Sequence, residues 1–212
     1  VENLFKVGGA SAIAAMAYVT ETIPKVDVIT GPGNIFVATA KKMVYGEVNI
    51  DMIAGPSEIG ILADDSANAS HLAIDLLSQA EHDEMASSIL ITPSQKLADA
   101  VKVEIQNWLV KLPRQEIARK SIEDRGAIIV TKTMEEAIYL MNQIAPEHLE
   151  VATNSPFELL PLIKHAGAIF LGHNTPEAIG DYVAGPNHTL PTGGTAKFYS
   201  PLGVENFMKK TS

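Results

Sequence analysis

Apolar and polar positions along this chain follow two rhythms that take turns. Short, nearly unbroken apolar runs occur at VDVIT (26–30), EIGILAD (58–64), SSILIT (87–92), GAIIVT (126–131), HLEVAT (148–153) and GAIFLG (167–172). Runs of this length, rich in Val and Ile, read as strands buried on both faces. Between them the rhythm becomes helical. Leu97, Val101, Ile105 and Leu109 recur every four residues, as an amphipathic helix requires. Helices are also predicted after Gly8-Gly9, from Asn34 to about Tyr45, from about Ala67 to His82, across MEEAIYLMNQIA (134–145) and near 156–163. The β-α-β-α order predicts an α/β fold, a parallel sheet flanked by helices on both faces. From Gly185 onward, in GPNHTLPTGG, the regular pattern stops. No internal repeat is visible.

Bulk composition narrows the function classes. With 212 residues, 46% hydrophobic and 19% charged, the chain is globular and has room for one large domain or two small ones. No apolar run approaches the roughly 18 residues that span a bilayer, so no membrane segment is expected. A net charge of -9 argues against nucleic acid as a partner. There are no cysteines, hence no disulfide and no thiolate metal site, which fits a reducing cytoplasm. Any metal must be held by His, Asp, Glu or an amide oxygen. The opening VENLFKVGGASAIAAM has neither a starting Met nor a signal-peptide pattern, so a piece of something longer is expected.

Ligands of open α/β sheets sit outside the carboxyl ends of the strands. That rule directs attention to the loops GPGN (31–34), AGPSE (54–58), PEHLE (146–150) and IGDYVAGPNH (179–188). GPGN fits either a phosphate-holding turn before a helix or a plain βα turn. Ser57 suits a ligand contact or an ordinary turn. On the predicted helix that ends in LLSQAEHDE (76–84), the residues His71, Asp75, Ser78, Gln79 and His82 share one arc of the helix wheel. That stripe is either solvated or a source of metal ligands. PEHLE sets Glu147 beside His148, a possible base and proton shuttle or a solvated loop pair. Asp181 and His188 suit a hard or borderline cation, or a turn.

Taken together and in order, VGGASAIAAMAY, DVITGPGNIFVATAKK, IDMIAGPSEIGILAD, LLSQAEHD, APEHLEV, IGDYVAGPNHTLPTGGTAKF and SPLGVENFMKK resemble the histidinol dehydrogenases. The resemblance implies a zinc- and NAD-dependent four-electron dehydrogenase that oxidises L-histidinol to L-histidine through an aldehyde, with two NAD+. It implies Gln79, His82 and Asp181 as zinc ligands and Glu147 and His148 as the catalytic pair. Ser57, His148, Asp181 and His188 would contact substrate, and Asn34 the NAD. At the other cofactor position the family often has Gln in GGAQAIAA; here Ser11 stands, which weakens that contact. The implied fold is Rossmann-like, with parts of two incomplete domains. Residues 1–56 would be the remainder of a smaller, NAD-side domain, 57–200 a larger domain with the zinc and catalytic residues, and 201–212 the start of a C-terminal tail. In the family a longer tail reaches the partner subunit and adds a Glu and a last zinc-binding His, so a cytoplasmic homodimer is implied. The rival expectations are a non-catalytic fragment, inactive as isolated, and a paralogue acting on another amino alcohol.

Overall fold

The structure, a computed structural model, describes residues 2–212. The chain divides into two compact units, Val1–Gly55 with Leu202–Ser212, and Pro56–Pro201.

The first unit contains α1 (Gly9–Tyr18), β1 (Val28–Ile29), α2 (Ile35–Val44) and β2 (Asn49–Ile50). β1 and β2 pair in parallel, Val28 opposite Asn49 and Ile29 opposite Ile50. Ile13 and Ala17 from α1 close over Ile29, Val44, Val48 and Ile50 to form its core. The VDVIT run yields only two strand residues, because the chain turns at Gly31, whose φ of +119° suits glycine alone. β2 has no counterpart in the sequence reading, since two residues carry no detectable period.

The second unit runs β3 (Glu58–Ala63), α3 (Ala69–Ala80), β4 (Ser87–Thr92), α4 (Gln95–Leu109), α5 (Gln115–Arg125), β5 (Ala127–Val130), α6 (Met134–Ile144), β6 (His148–Ala152), α7 (Pro156–Leu159), β7 (Ala168–Leu171) and α8 (Glu177–Tyr182). The five strands make one sheet in the order β5-β4-β3-β6-β7, every pair parallel. This is the helix-flanked parallel sheet that the apolar runs predict.

Strand periodicity sorts the core into two layers. Ile59, Ile61 and Ala63 of β3 pack with Leu72, Leu76 and Leu77 of α3 and with Val101 and Ile105 of α4. Leu62, between them in sequence, packs on the opposite face with Leu149 and Val151 of β6 and with Ile138 and Met141 of α6. Ala152 belongs to the first layer, so the alternation along β6 turns His148 and Glu150 toward that same α3 face. Both are about 3% exposed, which makes this strand chemically unlike its apolar neighbours. The helices begin where the sequence supplies caps. The side chains of Asn68, Ser94 and Thr133 accept backbone N–H groups at the starts of α3, α4 and α6, each worth about 1 kcal/mol.

Two helices depart from expectation. α5 is polar over most of its surface and buries only Ala118 and Ser121, the latter donating to the Ala86 carbonyl at 2.9 Å. Small residues let it approach closely but leave little apolar signal. α8 occupies part of a stretch expected to be loop.

Candidate active site

His148 is the first residue of β6 and pairs in register with Ile59, while Glu58 opens β3 beside it. The expected chemistry therefore gathers at the amino ends of the strands, and the carboxyl-end rule does not hold for it. The reason is electrostatic. In a parallel β-α-β unit the crossover helix runs back against the strands, so its carboxyl terminus, with its partial negative charge, arrives at this edge. α3 ends there at Ala80, carrying Gln79. Such an edge suits a cation rather than a phosphate.

His148 is held from one side. Its Nδ1 lies 3.2 Å from the Glu58 carbonyl oxygen, an acceptor, so Nδ1 carries the proton and donates. Nε2 is left as a buried lone pair with no hydrogen-bond partner among the described residues. Burial pushes this imidazole below its ordinary pKa, against the opposing pull of the Asp181 charge. The neutral form is favoured, with its basic nitrogen turned to Glu177 Oε1 at 3.8 Å and Asp181 Oδ1 at 3.9 Å. The ring also lies 6.1 Å from that of Phe170, centroid to centroid.

Glu147, one residue earlier, sits just outside the strand and is 7% exposed. Its Oε2 accepts the Glu58 N–H at 3.1 Å and lies 3.8 Å from His148 Nδ1. The Ser57 hydroxyl also hydrogen-bonds this carboxyl. Burial pushes the Glu147 pKa up to about 8; the Glu58 N–H lowers it, and the Glu58 and Asp181 charges raise it. The group is thus an acid at neutral pH and becomes a base when a nearby cation or a rise in pH removes its proton.

α8 brings Asp181 to the site. Gly180 lies against Phe170, and an added Cβ would come within 2.6 Å of the ring, so only glycine permits this approach. The first turn of α8 supplies Glu177, 4% exposed, whose N–H donates to Glu150 Oε1 at 2.8 Å. Burial, then the Asp181 charge, pushes Glu177 to about 7. His148, Glu177 and Asp181 each place one ligand atom within 4.8 Å of the others, a set that could hold a metal ion. Beneath them, burial raises Asp75 to about 6 and Glu150 well above the ordinary range, the two carboxyls sharing a hydrogen bond.

Gln79 is 2% exposed, and its Oε1 is buried without a partner among the described residues. Its neighbour Ser78 donates to Glu177 Oε2 at 3.4 Å. A buried amide oxygen left unpaired is costly unless something else satisfies it, and a cation does so. Amide oxygen, imidazole and carboxylate are N/O donors of the kind zinc accepts, and the unpartnered Gln79 Oε1 fits such an ion. His82 lies past the end of α3, in an exposed turn, its N–H donating to the Gln79 carbonyl at 3.2 Å. Both His82 and the exposed His188 are close enough for their charges to act on His148.

Of the residues singled out from sequence, Ser57, Glu147, His148 and Asp181 thus meet in the second unit. Asn34 and Ser11 belong to the first unit. Asn34 is the cap of α2, its Oδ1 accepting the Phe36 and Val37 N–H groups at 3.1 and 3.2 Å. Ser11 is exposed on the first turn of α1. Glu177, Glu58 and Glu150 were not anticipated, although Glu177 and Asp181 stand at the i, i+4 spacing that marks one helix face. Asp75 is no solvated surface residue, because Glu150 lies beneath it.

The whole chain, residues 1–212, matches the family described as histidinol dehydrogenase. Among curated relatives, the histidinol dehydrogenase of Sulfurimonas denitrificans is 87% identical over 212 residues, covering 100% of this chain and 49% of that protein. That of Wolinella succinogenes is 72% identical with the same coverage. The crystal structure of histidinol dehydrogenase from Elizabethkingia anophelis superposes with a TM-score of 0.95 at 42% identity, over 100% of this chain and 49% of that one. A γ-glutamyl phosphate reductase from Thermotoga maritima shares the fold alone, with a TM-score of 0.52 and 17% identity over 85% of this chain and 48% of that one. The chain spans about half the length of the curated relatives it matches. No helix among the described residues is long and apolar enough to cross a membrane.

Proposed function

Because this chain belongs to the histidinol dehydrogenase family, we propose that the intact protein oxidises L-histidinol to L-histidine through an aldehyde, the last step of histidine biosynthesis. The observation that carries this reading is His148, a neutral imidazole with Nδ1 tied to a carbonyl and Nε2 bare beside Asp181.

In the first half-reaction His148 Nε2 takes the alcohol proton as the substrate carbon gives up hydride. In the second, Glu147 takes a proton from water, and the resulting hydroxide adds to the aldehyde carbon to give the hydrate that loses a second hydride. Ser57 and the Glu58 N–H hold the Glu147 carboxylate in place for this. Asp181 and His188 orient the substrate. NAD+ would be held with Asn34 and Ser11 in contact, and would supply the hydride acceptor for each half. Zinc, held by Gln79, His82 and Asp181, would anchor and polarise the substrate. The family resemblance adds to this reading a homodimer whose partner completes the site through its C-terminal tail. On the same reading the fragment alone is inactive, and the intact protein is cytoplasmic.

The test is NADH formation from L-histidinol by the full-length protein with zinc supplied. Two NADH per histidinol are expected, and no NADH above the no-enzyme control would sink the assignment.

A further inference from the structure

We propose that a buried ion pair in the first unit, Lys41 with Asp51, is a positioning device that pre-sets the Gly31–Asn34 turn for the dinucleotide. The proposal rests on the NAD+ reading above and adds to it a role for two residues outside any contact named there.

Lys41 and Asp51 are 2% and 4% exposed, and Lys41 Nζ donates to Asp51 Oδ1. The pair does more than neutralise itself. Lys41 Nζ also donates to the Gly31 carbonyl at 3.0 Å, and Asp51 Oδ2 accepts the Gly31 N–H at 2.8 Å. Both main-chain polar groups of one residue are thus held by the two ends of one ion pair. That residue has a φ of +119°, one of the many conformations open to glycine, and the two bonds select it. Asp51 Oδ1 further accepts the Met52 N–H at 2.6 Å. Lys41 comes from α2 and Asp51 follows β2, so helix, strand end and turn are fastened at one point.

This wiring also decides what the turn can recognise. The Gly31 amide is used by Asp51, and the Phe36 and Val37 amides at the start of α2 are used by the Asn34 side chain. A phosphate cradle needs those amides free. Asn34 has its oxygen engaged and its NH2 left to donate, which suits a neutral acceptor such as a ribose hydroxyl or a carboxamide oxygen. Recognition by one donor on a fixed arm depends on where the arm is held, and misplacement by about 1 Å can be costly. A buried ion pair adds little net stability over an apolar pair of similar size. Its contribution here is the geometry of Gly31.

The clean perturbation is the double substitution Lys41→Met/Asp51→Leu in the full-length, zinc-supplied protein. It removes both charges together and keeps the interior filled, while releasing Gly31. KM for NAD+ should rise about tenfold, with kcat at saturating NAD+ and KM for histidinol within about twofold of the parent. A folded double variant with an unchanged KM for NAD+, or one that loses kcat instead, overturns the proposal. A second measurement needs neither turnover nor a variant. Amide hydrogen exchange at Gly31 in the unsubstituted protein should be slow before NAD+ is added and no slower afterwards. Protection that appears only with NAD+ would mean the cofactor, not the ion pair, orders the turn. Absence of NADH formation by the unsubstituted protein would fail the NAD+ reading itself, while slow exchange at Gly31 would still be seen.

Discussion

Replacing Glu147 by Gln should make the metal-free protein more stable at pH 7.5 and change it much less near pH 5. In the fold the Glu147 carboxyl holds its proton up to about pH 8, chiefly because it is buried, whereas in the unfolded chain it ionises near 4.5. Between those values the folded state binds one more proton than the unfolded state, so stability falls as pH rises through the window. It is fully present below the unfolded pKa and lost as pH climbs to the folded one. By pH 7.5 the chain is three units above the unfolded value, and at about 1.36 kcal/mol per unit the loss is about 4 kcal/mol. Glutamine has the shape of the protonated acid at every pH and escapes this loss. Glu177, Asp75 and Glu150 also have raised pKa values, but they titrate in both proteins and drop out of the comparison. Urea unfolding after chelation reads the difference directly. With a slope of about 2 kcal/mol/M, the variant's midpoint should exceed the parent's by about 2 M at pH 7.5. Equal midpoints at pH 7.5, or a gap that does not change from pH 5, would refute the burial reasoning. The same variant should lose aldehyde oxidation while still forming the first NADH.

His148→Asn should lower the alcohol-oxidation rate by about 10²- to 10⁴-fold, measured as the first NADH in single turnover; less than tenfold would remove Nε2 from the base role. Gln79→Ala and His82→Ala should each weaken zinc retention by about tenfold or more after dialysis, as read by elemental analysis, and full retention in either would exclude that ligand. Gly180→Ala forces a Cβ against Phe170 and should push α8 outward, costing about 1–3 kcal/mol and weakening zinc retention together. A variant with unchanged melting temperature and zinc content would show that α8 is not held by this contact.

Much of the fold was legible because the second unit's strands are apolar on both faces and its longer helices carry a clear four-residue rhythm. The five apolar runs from EIGILAD onward all contain sheet strands, whereas VDVIT keeps only Val28–Ile29. α5 escaped because Ala118 and Ser121 are too small to mark a face. Glu177 escaped because residues around Asp181 read as loop, and a six-residue helix between Pro176 and a glycine-rich stretch has too short a period to register. The edge of the sheet was misjudged for a different reason. The carboxyl-end rule describes sites that use helix amino termini to hold anions. Residues suited to a cation collect instead where α3 presents its carboxyl terminus, and nothing in a list of motifs distinguishes the two ends. The pairing of Asp75 with Glu150 was not legible because the two are remote in sequence.

Keeping His148, Glu147 and Gln79 at one rim leaves part of the opposite rim unencumbered. The loops after β4 and β5, around Pro93 and Lys132, carry no group assigned to proton transfer or metal binding. Lineages can lengthen, shorten or recompose them without meeting the reaction, and a tag or a binding module could be grafted there by an engineer for the same reason. The rim that most sheets of this class dedicate to ligands is, in this unit, open to change at these two loops.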